Sequence, residues 1–223
     1  MPFTLTEQQQ KAWREISEDM QREQPMHRIL QGDVGSGKTV ISALALAKAA
    51  ENGCQGCIMA PTEILARQHY DTLQQFLQPA GIRLGLLVGG MRVKARRELL
   101  LNLELGLIDV LVGTHALLEE DVRFAKLSLA VTDEQHRFGV EQRARLTNKS
   151  ATAPDVLVMT ATPIPRTLAL TVYGDLDISL MKGRPPVASR CKHCAITKLS
   201  AERFTKDCCA RCREAGRPIL CVP

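Results

Sequence analysis

The chain has 223 residues, 45% of them hydrophobic and only 4% aromatic, enough for one domain, or for one and part of another, with a proper core. It contains no apolar run long enough to span a membrane, and its polar opening MPFTLTEQQQ lacks the apolar centre of a secretion signal, so a cytoplasmic protein is expected. The net charge of +5 is uneven: residues 1–189 carry 21 basic and 21 acidic side chains, which leaves the whole excess in the tail.

A basic tail suits nucleic acid only weakly, and on charge alone the solvated surface helix is the preferred reading. The eight cysteines, in a chain with no export signal, read as thiols or metal ligands rather than disulfides.

Thr6, followed three residues later by Gln9, reads as a capping box. It opens a helix whose apolar residues Ala12, Trp13, Ile16 and Met20 recur at helical spacing. HRILQ, residues 27–31, is a short strand that runs into GDVGSGKT. An alanine-rich helix follows over Lys38–Ala50.

Between that strand and helix, Gly32, Asp33, Val34, Gly35, Ser36, Gly37, Lys38 and Thr39 satisfy G-x-x-x-x-G-K-[ST] in the context the pattern requires. Glycines let the backbone wrap a polyphosphate, so that successive N–H groups and a helix N-terminus point at it. Lys38 is expected to reach the β- and γ-phosphates, and Thr39 to hold Mg²⁺. The bland alternative is a strand–helix turn that happens to be rich in glycine.

CIMA, LGLLV, DVLVG, LSLAVT and VLVMT are short continuous apolar runs. They suit strands buried on both faces of a parallel sheet. The β-α-β-α rhythm predicts an open α/β fold, in which ligands bind at the carboxyl ends of the strands. Those ends therefore hold the candidates. Pro61 and Thr62 follow one run, and Gly113, Thr114 and His115 follow another. Hydroxyls and amides at helix starts suit the phosphates of a nucleic-acid strand, although Ser and Thr are also common helix caps.

Asp133 and Glu134 end LSLAVT; one carboxylate there is expected to hold the metal through water, the other to orient or deprotonate the attacking water. Thr160, Ala161 and Thr162 end VLVMT, where two hydroxyls either relay the state of the phosphate site or simply cap the strand. His27 and His69 read as surface or packing residues.

The order of these pieces carries more than any one of them. GDVGSGKT, APTE, GTH, DEQH and TATPIPRT resemble motifs I, Ia, Ib, II and III of superfamily 2 helicases. APTEILARQH, DEQHRFGVEQR and MTATPIPRTLALTVYGDLD resemble in particular the bacterial branch-migration helicases. The related transcription-repair coupling factor usually has DEEH where Gln135 stands here. The resemblance covers residues 1 to about 190.

It implies an α/β P-loop NTPase fold: a RecA-like parallel sheet flanked by helices. It implies ATP and Mg²⁺ as cofactors and branched or forked DNA as partner. By the resemblance Phe3 and Gln9 would contact adenine in a Q-motif-like way; the competing reading of Gln9 is the helix-cap partner, and the two roles are compatible. Gln135 and His136 would couple the nucleotide site to motif III and to DNA, and Arg166 would lie near this coupling region.

The resemblance also divides the chain, into an ATP-binding lobe over residues 1–185 and the linker and start of a second RecA-like lobe over residues 186–223. The family's wedge domain and the rest of its second lobe, which supplies an arginine to the γ-phosphate, fall outside these 223 residues, so turnover is expected to suffer more than binding. Cys191, Cys194, Cys209 and Cys212 form two C-x₂-C pairs close to a structural zinc pattern. The family register instead reads the same segment as the opening β-α-β of the second lobe. CQGC, residues 54–57, shows that such pairs recur here within an expected strand.

Overall fold

The computed structural model describes residues 5–133, 153–162 and 177–181. The chain divides into two units, Met1–Pro185 and Pro186–Pro223, and every described residue belongs to the first.

The chain enters through helix α1 (Glu7–Asp19), whose capping box is formed as expected. Thr6 Oγ1 accepts from the Gln9 amide at 3.2 Å, and Gln9 Oε1 accepts from the Thr6 amide at 3.0 Å. Ala12 and Ile16 turn inward and are buried. Burying one such large aliphatic side chain contributes about 1.5–3 kcal/mol, more than helix propensity supplies per residue, so burial decides which face of α1 docks.

Seven strands follow: β1 (His27–Gly32), β2 (Gln55–Met59), β3 (Leu84–Leu87), β4 (Val110–Gly113), β5 (Leu127–Asp133), β6 (Asp155–Thr160) and β7 (Asp177–Met181). They form one sheet in the order β3-β4-β2-β5-β6-β1-β7, with each pairing parallel. Helices α2 (Lys38–Glu51), α3 (Glu63–Leu77) and α4 (Val93–Glu104) make crossovers between strands. Six of the strands coincide with the apolar stretches of the sequence; β7 is an addition to them.

Successive side chains on a strand enter opposite faces. Ile58, Val110, Val112, Leu129 and Val131 therefore join a core built with Ile16 of α1, Ile41 and Leu46 of α2, and Leu73 of α3. Cys57, Leu111 and Ala130 pack on the other face with Leu103 of α4. Near β1, Ile29, Val156 and Val158 form a separate apolar cluster with Ile178. Among the described residues no helix is long and apolar enough to cross a membrane.

Because the strands run parallel, their carboxyl ends share one edge of the sheet. The register aligns them: Gln31 lies beside Thr160, Asp133 beside Met159, and Met59 beside both Thr132 and Gly113.

Candidate nucleotide site and nucleic-acid groove

The glycine-rich loop joins β1 to α2 at that edge. Gly35 and Gly37 have φ of 80° and 91°, a left-handed backbone that side chains disfavour. Gly37 is the N-cap of α2 and brings no side chain to cap it. The first-turn amides of a helix have no intrahelical acceptor, so this end remains suited to an anion. Ser36 is buried, and its hydroxyl has no hydrogen-bond partner. An uncapped helix start, a left-handed glycine cap and an unpartnered buried hydroxyl together fit a polyphosphate.

Lys38 folds back onto its own loop. Its Nζ donates to the carbonyl oxygen of Gly32 at 2.6 Å and to that of Asp33 at 3.1 Å. Burial lowers the Lys38 pKa from its usual value, while the charges of Asp133 and Asp33 act in the opposite direction. The ammonium is therefore held mainly by neutral carbonyls, a holding that anionic phosphate oxygens can outbid.

Gln9 does more than complete the cap. Its Nε2 donates to the carbonyl oxygen of Ser36 at 2.8 Å, which braces the loop from α1. The cap function is thus present in the geometry, together with a loop contact that sequence spacing does not predict.

Asp133 ends β5 two strands away from β1, half-buried. Its Oδ2 lies 2.6 Å from Nε2 of His69 on α3. A carboxylate only accepts, so the imidazole N–H donates. The sequence reading of His69 as a surface or packing residue is incomplete, because the side chain is buried and has a specific polar partner. One signal was available: Ala66, His69, Leu73 and Leu77 form the buried stripe of α3, and His69 is its polar member. His27, in contrast, is exposed at the start of β1.

At the end of β6, Thr160 is buried, and its Oγ1 accepts from the Thr162 amide at 3.2 Å and lies 3.0 Å from Thr162 Oγ1. The two hydroxyls close on each other around Ala161, so the strand-end cap is formed. Phe3, Glu134, Gln135, His136 and Arg166 lie outside the described residues, as do Cys191, Cys194, Cys209 and Cys212.

Further along the same edge, an open groove of about 440 Å³ is lined by Pro61, Thr62, Thr114 and His115, together with Gly89 and Gly90 after β3. Thr62 caps α3 by accepting from the Leu65 amide at 3.3 Å, which leaves its hydroxyl proton available to donate. Gly113 lies beneath the groove rather than in its lining. A Cβ there would stand 2.5 Å from the carbonyl oxygen of Leu87, so glycine permits the close pairing of β3 and β4. Gly89 and Gly90 were missed by the sequence reading, although a glycine pair directly after an apolar strand is the same kind of strand-end signal. Arg96 at the rim is held by Glu119 at 2.7 Å and Asp121 at 2.8 Å, which neutralises much of its charge. The groove therefore offers hydroxyls and amides more than a positive field.

A parallel sheet with a glycine-rich loop at β1, an acidic strand end at β5 and a polar groove beyond it defines a RecA-like lobe of helicase type. Residues 6–171 match the DEAD/DEAH box helicase family, and the chain belongs to it. It is similar to the ATP-dependent DNA helicase RecG of Bacillus subtilis (strain 168), with 54% identity over 185 residues, covering 83% of this chain and 27% of that protein. It is 47% identical over 194 residues to the RecG of Streptococcus pneumoniae serotype 4, covering 85% of this chain and 28% of that one. Among solved structures, RecG bound to a three-way DNA junction superposes with a TM-score of 0.73 at 46% identity, covering 83% of this chain and 25% of the other. The chain thus spans about a quarter of the length of the curated relatives it matches.

Proposed function

We propose that this chain is the ATP-binding lobe of a RecG-type DNA helicase that acts on branched DNA in recombination and repair. ATP sits on Gly32–Thr39, and DNA crosses the groove at Pro61, Thr62, Thr114 and His115. The observation that carries the reading is the uncapped N-terminus of α2 behind Gly37, with Lys38 placed on exchangeable carbonyl partners.

In this reading Lys38 leaves Gly32 and Asp33 for the β- and γ-phosphates, and loop amides surround the phosphate oxygens. Thr39 and Asp133 hold Mg²⁺, which when bound neutralises charge on the phosphates. Glu134 orients the attacking water. Thr62 and Thr114 donate to the DNA backbone. A protein consisting of these 223 residues alone carries motifs I to III, and loss of an arginine finger costs on the order of 10³–10⁵ in rate. Such a protein is expected to bind nucleotide and DNA better than it turns ATP over.

The test is nucleotide binding and ATP hydrolysis by the 223-residue chain, with and without forked DNA, beside Lys38→Ala. Binding lost in Lys38→Ala supports the loop assignment, and unchanged binding removes it. Hydrolysis that DNA stimulates and that depends on Lys38 marks a working motor; binding without turnover marks a lobe that needs its partner.

A further inference from the structure

The His69–Asp133 contact ties helix α3, which leaves the end of β2, to the end of the neighbouring strand β5. Helix α3 begins at Thr62, whose hydroxyl caps it and lines the groove. Seven residues later, about 10 Å along the axis at 1.5 Å per residue, the same helix presents His69 to Asp133. Between and beyond these points Ala66, Leu73 and Leu77 are buried, so α3 is fastened to the sheet along its inward face. A packed helix moves as a unit, and a displacement at its cap is carried to His69.

From this geometry we propose that His69 is a positioning residue: it orients the Asp133 carboxylate toward Mg²⁺·nucleotide and makes α3 the mechanical connection between the DNA groove and the metal. The proposal rests on the nucleotide reading above. One oxygen of Asp133 is taken by the imidazole, which leaves the other free of that contact, on a carboxylate whose charge acts on Lys38 of the loop. Without the imidazole, a half-buried carboxylate can turn about its side-chain torsions and lose that aim. Groups that orient metal-binding side chains in this way commonly change metal affinity by about 10–100-fold when removed.

The experiment compares wild type, His69→Ala and His69→Gln in the full 223-residue chain. The glutamine amide retains an N–H to donate to Asp133. A fluorescent ADP analogue is titrated in Mg²⁺ and again in EDTA, each with and without forked DNA, and urea unfolding reports folding. His69→Ala is expected to weaken binding roughly tenfold in Mg²⁺ but not in EDTA, and to remove the effect of DNA on the Mg²⁺-dependent part. His69→Gln is expected to recover most of both. Equal losses in Mg²⁺ and EDTA, or failure of glutamine to restore binding in a folded protein, overturn the positioning role in favour of a packing one. Unchanged binding in both variants overturns it as well. Wild type that binds the analogue in neither Mg²⁺ nor EDTA overturns the nucleotide reading and this proposal together, whereas wild-type binding that is indifferent to Mg²⁺, or to the variants, overturns this proposal alone.

Discussion

Gln9 serves two elements with one amide. Its oxygen closes the cap of α1, and its nitrogen holds the carbonyl of Ser36 in the loop. The cap was legible in the sequence because it depends on spacing along one helix. The loop contact was not, because it joins residues 27 positions apart through the packing of α1 against α2. The same amide limits Gly37: a Cβ there would stand 2.3 Å from Gln9 Nε2, on a backbone already at φ 91°. At Gly35, with φ 80°, a Cβ would meet nothing within 4 Å. Gly35→Ala is therefore expected to cost backbone strain alone, about 1–3 kcal/mol. Gly37→Ala should cost the same strain plus displacement of Gln9, and should lower nucleotide affinity more. Urea unfolding and nucleotide titration of the two variants check this, and equal behaviour would show that Gln9 does not brace the loop.

Among elements, the apolar strands were readable and β7 was not, and Arg28 shows why. Its guanidinium, only 9% exposed, meets Asp19 of α1 at 2.6 Å and Ser179 of β7 at 2.9 Å, with Glu15 at 3.5 Å. Ser179 in turn donates to Glu15. A run such as DISLM carries polar residues that look solvent-facing until a distant arginine satisfies them. Arg28 thus fastens α1, β1 and β7 together, beside the strand that leads into the loop. Arg28→Met leaves Asp19, whose side chain is 5% exposed, without its closest cation. Arg22 stays 2.9 Å from the other Asp19 oxygen, so the expected cost is about 1–3 kcal/mol, below that of a fully uncompensated buried charge. The urea midpoint measures it, and a loss below about 1 kcal/mol would place the cluster among weak surface pairs.

For the whole molecule, the sheet was legible because strands buried on both faces must be apolar throughout, whereas the pairing of α3 with β5 depends on three-dimensional closeness. The acid response of the lobe follows from a pair at the other end of the sheet. Asp109 grips the Arg83 side chain at 2.6 and 2.9 Å and its amide at 2.8 Å, tying the start of β4 to that of β3. The Arg83 hydrogen bond holds the Asp109 pKa below its usual 3.8. A carboxylate whose pKa is depressed on folding contributes stability that is present above 3.8 and is lost as pH falls through the lower, folded value. The gap in urea midpoint between wild type and Asp109→Asn should therefore be constant from about pH 7 to pH 5 and narrow in stronger acid. A gap independent of pH would show that the carboxylate charge contributes nothing.

The position of β1 in the sheet has a consequence for how this protein is made. Its neighbours are β6 and β7, and the Met26 amide just before it is bonded to Asp155, 129 residues later. On a ribosome adding roughly 5–20 residues per second, the strand that carries the phosphate loop waits on the order of ten seconds for a partner. During that interval an apolar strand with both edges open is exposed to aggregation, so the glycine-rich loop is among the last parts of the lobe to be fixed in place.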